Sequence, residues 1–204
     1  MIRLFGLILI SLMVNSCLLN EHNVEWKAYL GGADRNHYSS LSQIDTSNVN
    51  RLEKAWEFHT GDTSGQMQCN PIIADGLLFG STASIEIFAL NAATGKEVWR
   101  FRDVREEQWY STNRGVAYWE LGGDSRILFS AGEWLYALHA KTGKLVTSFG
   151  DSGRVSLKSG LGENAKDKFV IASTPGTIYR NAIIMPLRLS ESTGAAPGYI
   201  QSFD

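Results

Sequence analysis

Clustered positive charge, long apolar runs and proline are all scarce in this sequence. The 19 lysines and arginines are scattered and the formal net charge is −2, so the electrostatic footprint of a nucleic-acid-binding protein is missing and we expect no nucleic-acid partner. Only four prolines stand against 20 glycines. Together with many Thr, Val, Ile, Tyr and Trp residues in short runs, this balance favours an all-β protein whose strands are joined by tight turns.

The one marked apolar run lies at the N-terminus, in MIRLFGLILISLMVNSC, and is too short to span a bilayer as a stable helix. It follows Arg3 and ends with Ser16 directly before Cys17, which resembles the lipobox of bacterial lipoproteins. We predict a signal peptide over residues 1–16 and a lipid anchor on Cys17, with export to the periplasm. The alternative is an ordinary signal peptide that is cleaved nearby, with Cys17 incidental.

Two further residues bear on this prediction. Leu18, and not an acidic residue, follows Cys17, which in bacterial lipoproteins goes with sorting to the outer membrane. If Cys17 carries lipid, Cys69 is the only other cysteine and has no partner for an intramolecular disulfide. We therefore expect Cys69 to serve as a small buried hydrophobic residue.

Two segments repeat one pattern. IFALNAATGKEVWRF (87–101) and LYALHAKTGKLVTSF (135–149) each give an apolar strand, a turn ending in Thr-Gly-Lys and a second strand, with a period of about 48 residues. We expect Gly95 and Gly143 to supply the positive φ that a tight hairpin turn needs, and the preceding threonine can form a hydrogen bond to the turn backbone. Another strand pair lies upstream of each hairpin, and four short strands per unit is typical of a propeller blade.

A third copy begins at PGTIYRNAIIMPL (175–187) and continues through GYIQSFD (198–204). The sequence stops just before a third Thr-Gly-Lys turn, and we expect the propeller to be truncated there because an open hairpin exposes a pairing edge. The alternative is a natural small domain with a ragged end.

Several pieces of the chain together resemble the dehydrogenases that depend on pyrroloquinoline quinone (PQQ). They are WKAYLGGADRNHYSSLSQIDTSNVNRLEKAWEFHTGD (26–62), QCNPIIADGLLFG, the Thr-Gly-Lys hairpins, NRGVAYW (113–119), FGDSGRVSL and APGYIQSFD. The resemblance implies an eight-bladed β-propeller of tryptophan-docked blades, with about three blades in this chain. Residues 17–62 are then the mature N-terminal segment and residues 63–204 an incomplete propeller. We expect residues 26–56 to pack across the blade ends, with a short helical turn at Asp45–Val49.

Arg114 is the residue in NRGVAYW that needs a chemical explanation. Its guanidinium cannot lose its charge, so in front of a buried strand it needs an anion or a carboxylate. A structural ion pair with an Asp or Glu is one interpretation. The resemblance implies the other, in which Arg114 reaches the oxygens of PQQ, because a planar guanidinium can donate two parallel hydrogen bonds to an oxygen pair.

The resemblance implies further site residues. Gln68, three residues before Pro71, corresponds to a residue that contacts the cofactor, although it could equally be a solvated strand end. Ser173 or Thr174 would supply a hydroxyl to PQQ. Glu191 would bind Ca²⁺ or another divalent cation, although a loop carboxylate is often only solvated.

The chain also departs from parts of the family pattern. The methanol-oxidising branch has adjacent cysteines where Gln108 and Trp109 stand, and the membrane glucose-oxidising branch has a histidine where Tyr110 stands. Neither branch fits cleanly, so these residues do not select a substrate; the resemblance implies only a sugar or other alcohol. In the second repeat Thr147 replaces the docking tryptophan Trp99 of the first, which predicts one looser blade contact.

The resemblance implies the N-terminal part of a periplasmic dehydrogenase that passes electrons to a cytochrome or membrane quinone. The catalytic Asp and the other metal ligands are expected in later blades, so we expect this part alone to be inactive. The alternative is a non-catalytic outer-membrane lipoprotein that uses the same repeats as a scaffold. Such a protein would not need NRGVAYW or the segment around Gln68.

Overall fold

The computed structural model describes residues 25–105 and 112–204. The predicted signal peptide, Cys17 and the departures at 108–110 lie outside this part of the chain.

The described part has no α-helix, and none of its helical turns could cross a membrane. Its strands are β1 (Ile72–Ala74), β2 (Leu77–Ser81), β3 (Ile87–Asn91), β4 (Glu97–Phe101), β5 (Ala117–Leu121), β6 (Asp124–Ala131), β7 (Trp134–His139), β8 (Arg154–Ser156), β9 (Val170–Ile171), β10 (Thr177–Tyr179), β11 (Ala182–Met185), β12 (Arg188–Leu189) and β13 (Gln201–Phe203).

The strands form three main antiparallel sheets, which confirms the all-β prediction. The first sheet has the order β1-β2-β3-β4 and the second β5-β6-β7-β8, so both repeats give four strands. The third sheet has the order β10-β11-β13, and β9 pairs with β12 in a small separate ribbon. The predicted two-residue turn at Asp75 and Gly76 joins β1 to β2, with φ values of 50° and 71°. Both values lie in the left-handed region that such hairpin turns require.

The sheets pack face to face, and each side of the second sheet contributes to a different core. Because side chains alternate along a strand, Ile127 and Phe129 of β6 pack against the first sheet, while Leu128 packs against the third. The ring of Phe129 stacks on Tyr136 at a centroid distance of 5.0 Å. Burying one such phenylalanine side chain stabilises the fold by about 1.5–3 kcal/mol, so the aromatic stack contributes strongly to the first core.

Tryptophans dock onto both Thr-Gly-Lys turns. The indole Nε1 of Trp56 donates to the Ala92 carbonyl at 3.1 Å, and that of Trp99 donates to the Ala140 carbonyl at 2.8 Å. Each ring lies over the glycine of its turn, and a Cβ on Gly95 or Gly143 would come within 2.5 Å of ring carbons. The φ values of these glycines, 69° and 67°, agree with the predicted turn geometry.

The expected second strand of the second hairpin, within residues 144–149, is wrong. Leu145 makes only an isolated bridge to Leu138, and the fourth strand is β8, which pairs with residues 134–136. Between these points the chain leaves the sheet after Val146 and returns at Gly153. Both residues are hydrogen-bonded to Ala137 of β7: the Val146 amide donates to the Ala137 carbonyl, and the Ala137 amide donates to the Gly153 carbonyl. Val146 and Phe149 are drawn into the core against the third sheet, so tertiary burial interrupts the strand. Thr147 lies exposed in this excursion.

The segment before β1 runs across all three sheets. Glu25 accepts a hydrogen bond from the Asp75 amide at 2.6 Å, and Lys27 pairs with Glu120 at 3.0 Å. Arg35 donates to the Thr177 hydroxyl of β10 at 3.1 Å. These contacts agree with the expected packing of this segment.

The predicted helical turn is also present in that segment. The carboxylate of Asp45 accepts from the Ser47 amide at 2.7 Å, and its carbonyl accepts from the Val49 amide at 2.9 Å. A 3-10 turn then covers Val49–Arg51.

A glycine-to-alanine pair tests the docking. Gly143→Ala should destabilise the protein more than Gly122→Ala, because both sites have positive φ but only at Gly143 does the new Cβ meet the Trp99 ring. The shared backbone strain is worth about 1–2 kcal/mol, and overpacking adds about 1–3 kcal/mol at Gly143. Urea denaturation measures the free energy of unfolding of each variant. Equal losses would contradict tight docking of Trp99.

Candidate functional site

The chain segments that precede β1, β5 and β10, the first strand of each sheet, lie side by side, and we call them the inner segments. The Asn70 amide, before β1, donates to the Arg114 carbonyl at 2.9 Å. The Arg114 amide, before β5, donates to the Ser173 carbonyl, before β10, at 2.8 Å. The backbone of Arg114 is therefore hydrogen-bonded to both of the other inner segments and joins the three.

The Arg114 side chain is exposed, and its Nη1 donates to the Ser173 hydroxyl at 3.3 Å. Within residues 25–105 and 112–204, no carboxylate forms an ion pair with Arg114. The structural ion pair considered from the sequence therefore has no acceptor in the described part of the chain. The other N–H donors of the guanidinium make no hydrogen bond to a described residue.

Asn113, which sequence reasoning passed over, has a buried side chain that holds the backbone next to Arg114. Its Oδ1 accepts from the Ser81 hydroxyl at 3.0 Å and from the Gly115 amide at 2.9 Å, while Nδ2 donates to the Ser130 carbonyl at 3.1 Å. An asparagine between two polar neighbours in the sequence carries no signal of burial. Only contacts across 17 and 32 positions of the chain reveal its role.

Gly115 lies where neighbouring chain segments approach closely. A Cβ at this position would lie 3.0 Å from the Asn70 carbonyl oxygen and 3.1 Å from the ring of Tyr29. Pro175 of the third inner segment is also near, at 3.5 Å. Arg114 thus stands between two residues, Asn113 and Gly115, that are each fixed by tertiary contacts.

Gln68 lies two residues before Asn70 in the first inner segment, and its side chain is exposed. It makes no hydrogen bond to another described residue, so its amide is available. The neighbouring Cys69 is half-buried, and its Sγ accepts from the Ser81 amide at 3.2 Å. Burial raises the pKa of the Cys69 thiol, which keeps it neutral and agrees with a packing role.

The loop that carries Gln68 is fastened at its start by Asp62. The carboxylate of Asp62 accepts from the Ser64 amide at 2.9 Å and from the Ser84 amide at 2.7 Å, and both serine hydroxyls also donate to it. The hydrogen bonds from Ser64, followed by those from Ser84, lower the pKa of Asp62. The loop therefore keeps an ionised anchor down to low pH.

The two hydroxyl candidates differ in their surroundings. Ser173 is buried and contacts the Arg114 guanidinium. Thr174 is half-buried and makes no side-chain hydrogen bond to a described residue. The geometry therefore brings Ser173 to Arg114 directly, and Thr174 only as its neighbour in sequence.

Glu191 lies exposed in the loop after β12, between Ser190 and Ser192, whose hydroxyl oxygens are 2.7 Å apart. No contact joins Glu191 to Arg114 in the described part of the chain. Nor do the residues described there include a group of three or more His, Cys, Asp or Glu side chains that could hold a metal ion. The metal-binding role of Glu191 stays a prediction.

Comparison with known proteins agrees with this architecture. The PQQ family model described as glucose/ethanol/alcohol dehydrogenase, β-propeller domain, matches residues 26–204. The quinate/shikimate dehydrogenase (quinone) of Acinetobacter baylyi is 30% identical over 90% of this chain and 27% of its own length. The quinoprotein glucose dehydrogenase of Escherichia coli is 30% identical over 88% of this chain and 26% of its own length.

A solved structure gives the same fold. The quinohemoprotein alcohol dehydrogenase from Comamonas testosteroni superimposes with a TM-score of 0.66, at 22% identity, over 81% of this chain and 23% of that chain. This chain thus spans about a quarter of the length of the curated relatives it matches. The family match over residues 26–204 means that the chain belongs to the PQQ-dependent glucose/ethanol/alcohol dehydrogenase β-propeller family.

Proposed function

We propose that this chain supplies one wall of a PQQ site in a periplasmic dehydrogenase that oxidises a sugar or other alcohol. The observation that carries the proposal is the Arg114 guanidinium, which is exposed, held beside Ser173 and unpaired with any carboxylate in the described residues. The relatives support the reaction class, since they include quinone-dependent dehydrogenases for quinate or shikimate and for glucose. Electrons leave to a cytochrome or a membrane quinone.

The residues around Arg114 fit PQQ chemically. PQQ presents carboxylates and an ortho-quinone, and a planar guanidinium donates two parallel hydrogen bonds to such oxygen pairs. Nη1 is oriented by the Ser173 hydroxyl, which leaves other N–H donors of the same fork available. Gln68 adds an amide donor at the neighbouring inner segment, and Thr174 adds a hydroxyl next to Ser173.

In the proposed site the chain's residues bind and orient, while the bound PQQ supplies the acceptor for the two electrons of alcohol oxidation. The fixed positive charge of Arg114 stabilises negative charge that develops on a nearby oxygen. The two backbone hydrogen bonds of Arg114 hold that charge in place before the reaction. We assign no catalytic base to this chain, and we expect the base in later blades.

The alternative function, a non-catalytic scaffold propeller at the outer membrane, shares the tryptophan-docked turns. It gives no reason for an exposed arginine held beside a buried serine where the three inner segments meet. The Arg114–Ser173 contact therefore favours the dehydrogenase.

Arg114→Lys tests the proposal in the complete gene product that carries this chain. Lysine keeps the charge but loses the two-pronged geometry, so PQQ should bind about ten- to a hundred-fold more weakly, the equivalent of about 1.5–3 kcal/mol. Fluorescence titration of the apoprotein with PQQ in the presence of Ca²⁺ measures the affinity. Thermal melting of the same samples measures stability.

Arg126→Lys is the matched control, because Arg126 forms an ion pair with Asp124 at 2.6 Å. It should change PQQ affinity by less than about twofold. If Arg114→Lys melts much lower but binds PQQ as tightly as the unaltered protein, Arg114 has a structural role and the proposal is wrong.

We propose that Glu191 is a ligand of Ca²⁺ or another divalent cation beside PQQ. Glu191→Gln removes the charge but keeps the shape, so the Ca²⁺ concentration needed for half-maximal reconstitution should rise on the order of tenfold. Glu163→Gln serves as the control, since Glu163 is another exposed carboxylate and pairs with Lys166. An identical Ca²⁺ requirement in both variants would assign Glu191 to solvent.

We also propose that the protein is anchored in the outer membrane by lipid on Cys17. Cys17→Ser should move the protein from the detergent phase to the aqueous phase, because the lipid chains provide the membrane affinity. Phase partitioning followed by immunoblotting measures this shift. Unchanged detergent partitioning of the variant would favour the ordinary signal peptide.

A further inference from the structure

We propose that Asn113 is a positioning residue that sets where the Arg114 guanidinium lies. This inference rests on the proposed PQQ site. It adds a buried polar network, formed by Ser81, Asn113, Ser130 and the Ala172 carbonyl, which we call the inner network.

Asn113 fixes the backbone on both sides of Arg114. Its side chain, 6% exposed, uses both acceptor positions of Oδ1, one for the Ser81 hydroxyl and one for the Gly115 amide. Nδ2 donates to the Ser130 carbonyl of β6. The asparagine therefore ties residues 113 and 115 together and attaches them to the first and second sheets.

The inner network continues to the partner of Arg114. The Ser130 hydroxyl donates to the Ala172 carbonyl at 2.6 Å, and Ala172 immediately precedes Ser173. Ser173 holds Arg114 twice, through its carbonyl and through its hydroxyl. Two groups position the guanidinium: the backbone of Arg114 and the side chain of Ser173. Both are next to residues of the inner network.

Burial makes this network costly unless it is complete. Ser81, Asn113 and Ser130 are 0%, 6% and 2% exposed, and a buried polar group without a partner is destabilising. Apolar side chains would tie the sheets together without this risk. A fully hydrogen-bonded polar network, in contrast, permits one backbone arrangement. An arginine that binds a ligand needs its backbone held in this way, whereas an ordinary apolar core does not.

Two variants of the complete gene product separate positioning from general stability. Asn113→Asp keeps the shape and the Oδ1 acceptor but sets an oxygen against the Ser130 carbonyl. Ser130→Ala removes only the bond to Ala172 and leaves Asn113 intact. The control is Trp99→Phe, which removes the buried bond to Ala140 that joins the same two sheets at the docked turn.

Fluorescence titration with PQQ and thermal melting are measured for every variant. We expect Asn113→Asp to weaken PQQ binding about tenfold and Ser130→Ala about threefold. Trp99→Phe should lower the melting temperature and change the PQQ affinity by less than about twofold. The double variant Asn113→Asp with Arg114→Lys should bind PQQ less than about threefold more weakly than Arg114→Lys alone. The effect of Asn113→Asp is small in that background because it acts through the Arg114 guanidinium.

The outcomes distinguish this inference from the proposed function. If Arg114→Lys weakens PQQ binding but Asn113→Asp and Ser130→Ala only lower the melting temperature, the inner network is structural and the PQQ site stands. If the effects of Asn113→Asp and Arg114→Lys multiply fully, Asn113 acts without Arg114 and the inference is wrong. If Arg114→Lys leaves the PQQ affinity unchanged, the proposed site and this inference fail together. Should Asn113→Asp not fold, Ser130→Ala decides between these results.

Discussion

The packing of an indole ring over a glycine is the contact on which the arrangement of the sheets depends. Trp99 belongs to the first sheet, but its Nε1 is bonded to Ala140 in the turn of the second, and its ring covers Gly143. A hydrophobic face alone would allow two sheets to slide, because burial is not directional. The hydrogen bond and the missing Cβ together allow one position, and Trp56 repeats the arrangement on the first sheet.

Fixing the sheets at these docked turns also brings the three inner segments together. The segments before β1, β5 and β10 come close enough for the backbone of Arg114 to bond to Asn70 on one side and Ser173 on the other. A glycine suits this approach because a Cβ at position 115 would lie only 3.0 Å from the Asn70 carbonyl oxygen and 3.1 Å from the Tyr29 ring. One residue from each inner segment therefore lies in the same small region. Arg114 is 44 positions after Asn70 and 59 positions before Ser173 in the sequence, so distant parts of the chain can contribute to a single site.

The features that were predictable from the sequence are the local ones. The repeat, the turns at Gly95 and Gly143 and the strand after Arg114 depend on residues close together in the chain, and the structure has them. The excursion between Val146 and Gly153 was not predictable, because it follows from burial of Val146 and Phe149 against the third sheet. Asn113 was missed for the same reason, since its partners lie on other strands. The resemblance indicated Arg114, but only the structure relates it to Ser173.

The partner of Arg114 explains how the guanidinium can stay available to the proposed ligand. A carboxylate in the place of Ser173 would neutralise the guanidinium and accept two parallel hydrogen bonds from its N–H groups. A hydroxyl orients one nitrogen without cancelling the charge, so the cation keeps its attraction for anionic oxygens. The cost of an unneutralised cation is modest because Arg114 is exposed. The buried hydrogen bonds are therefore made by Asn113 and Ser130, beside the arginine, and the charge of Arg114 stays available to the proposed ligand.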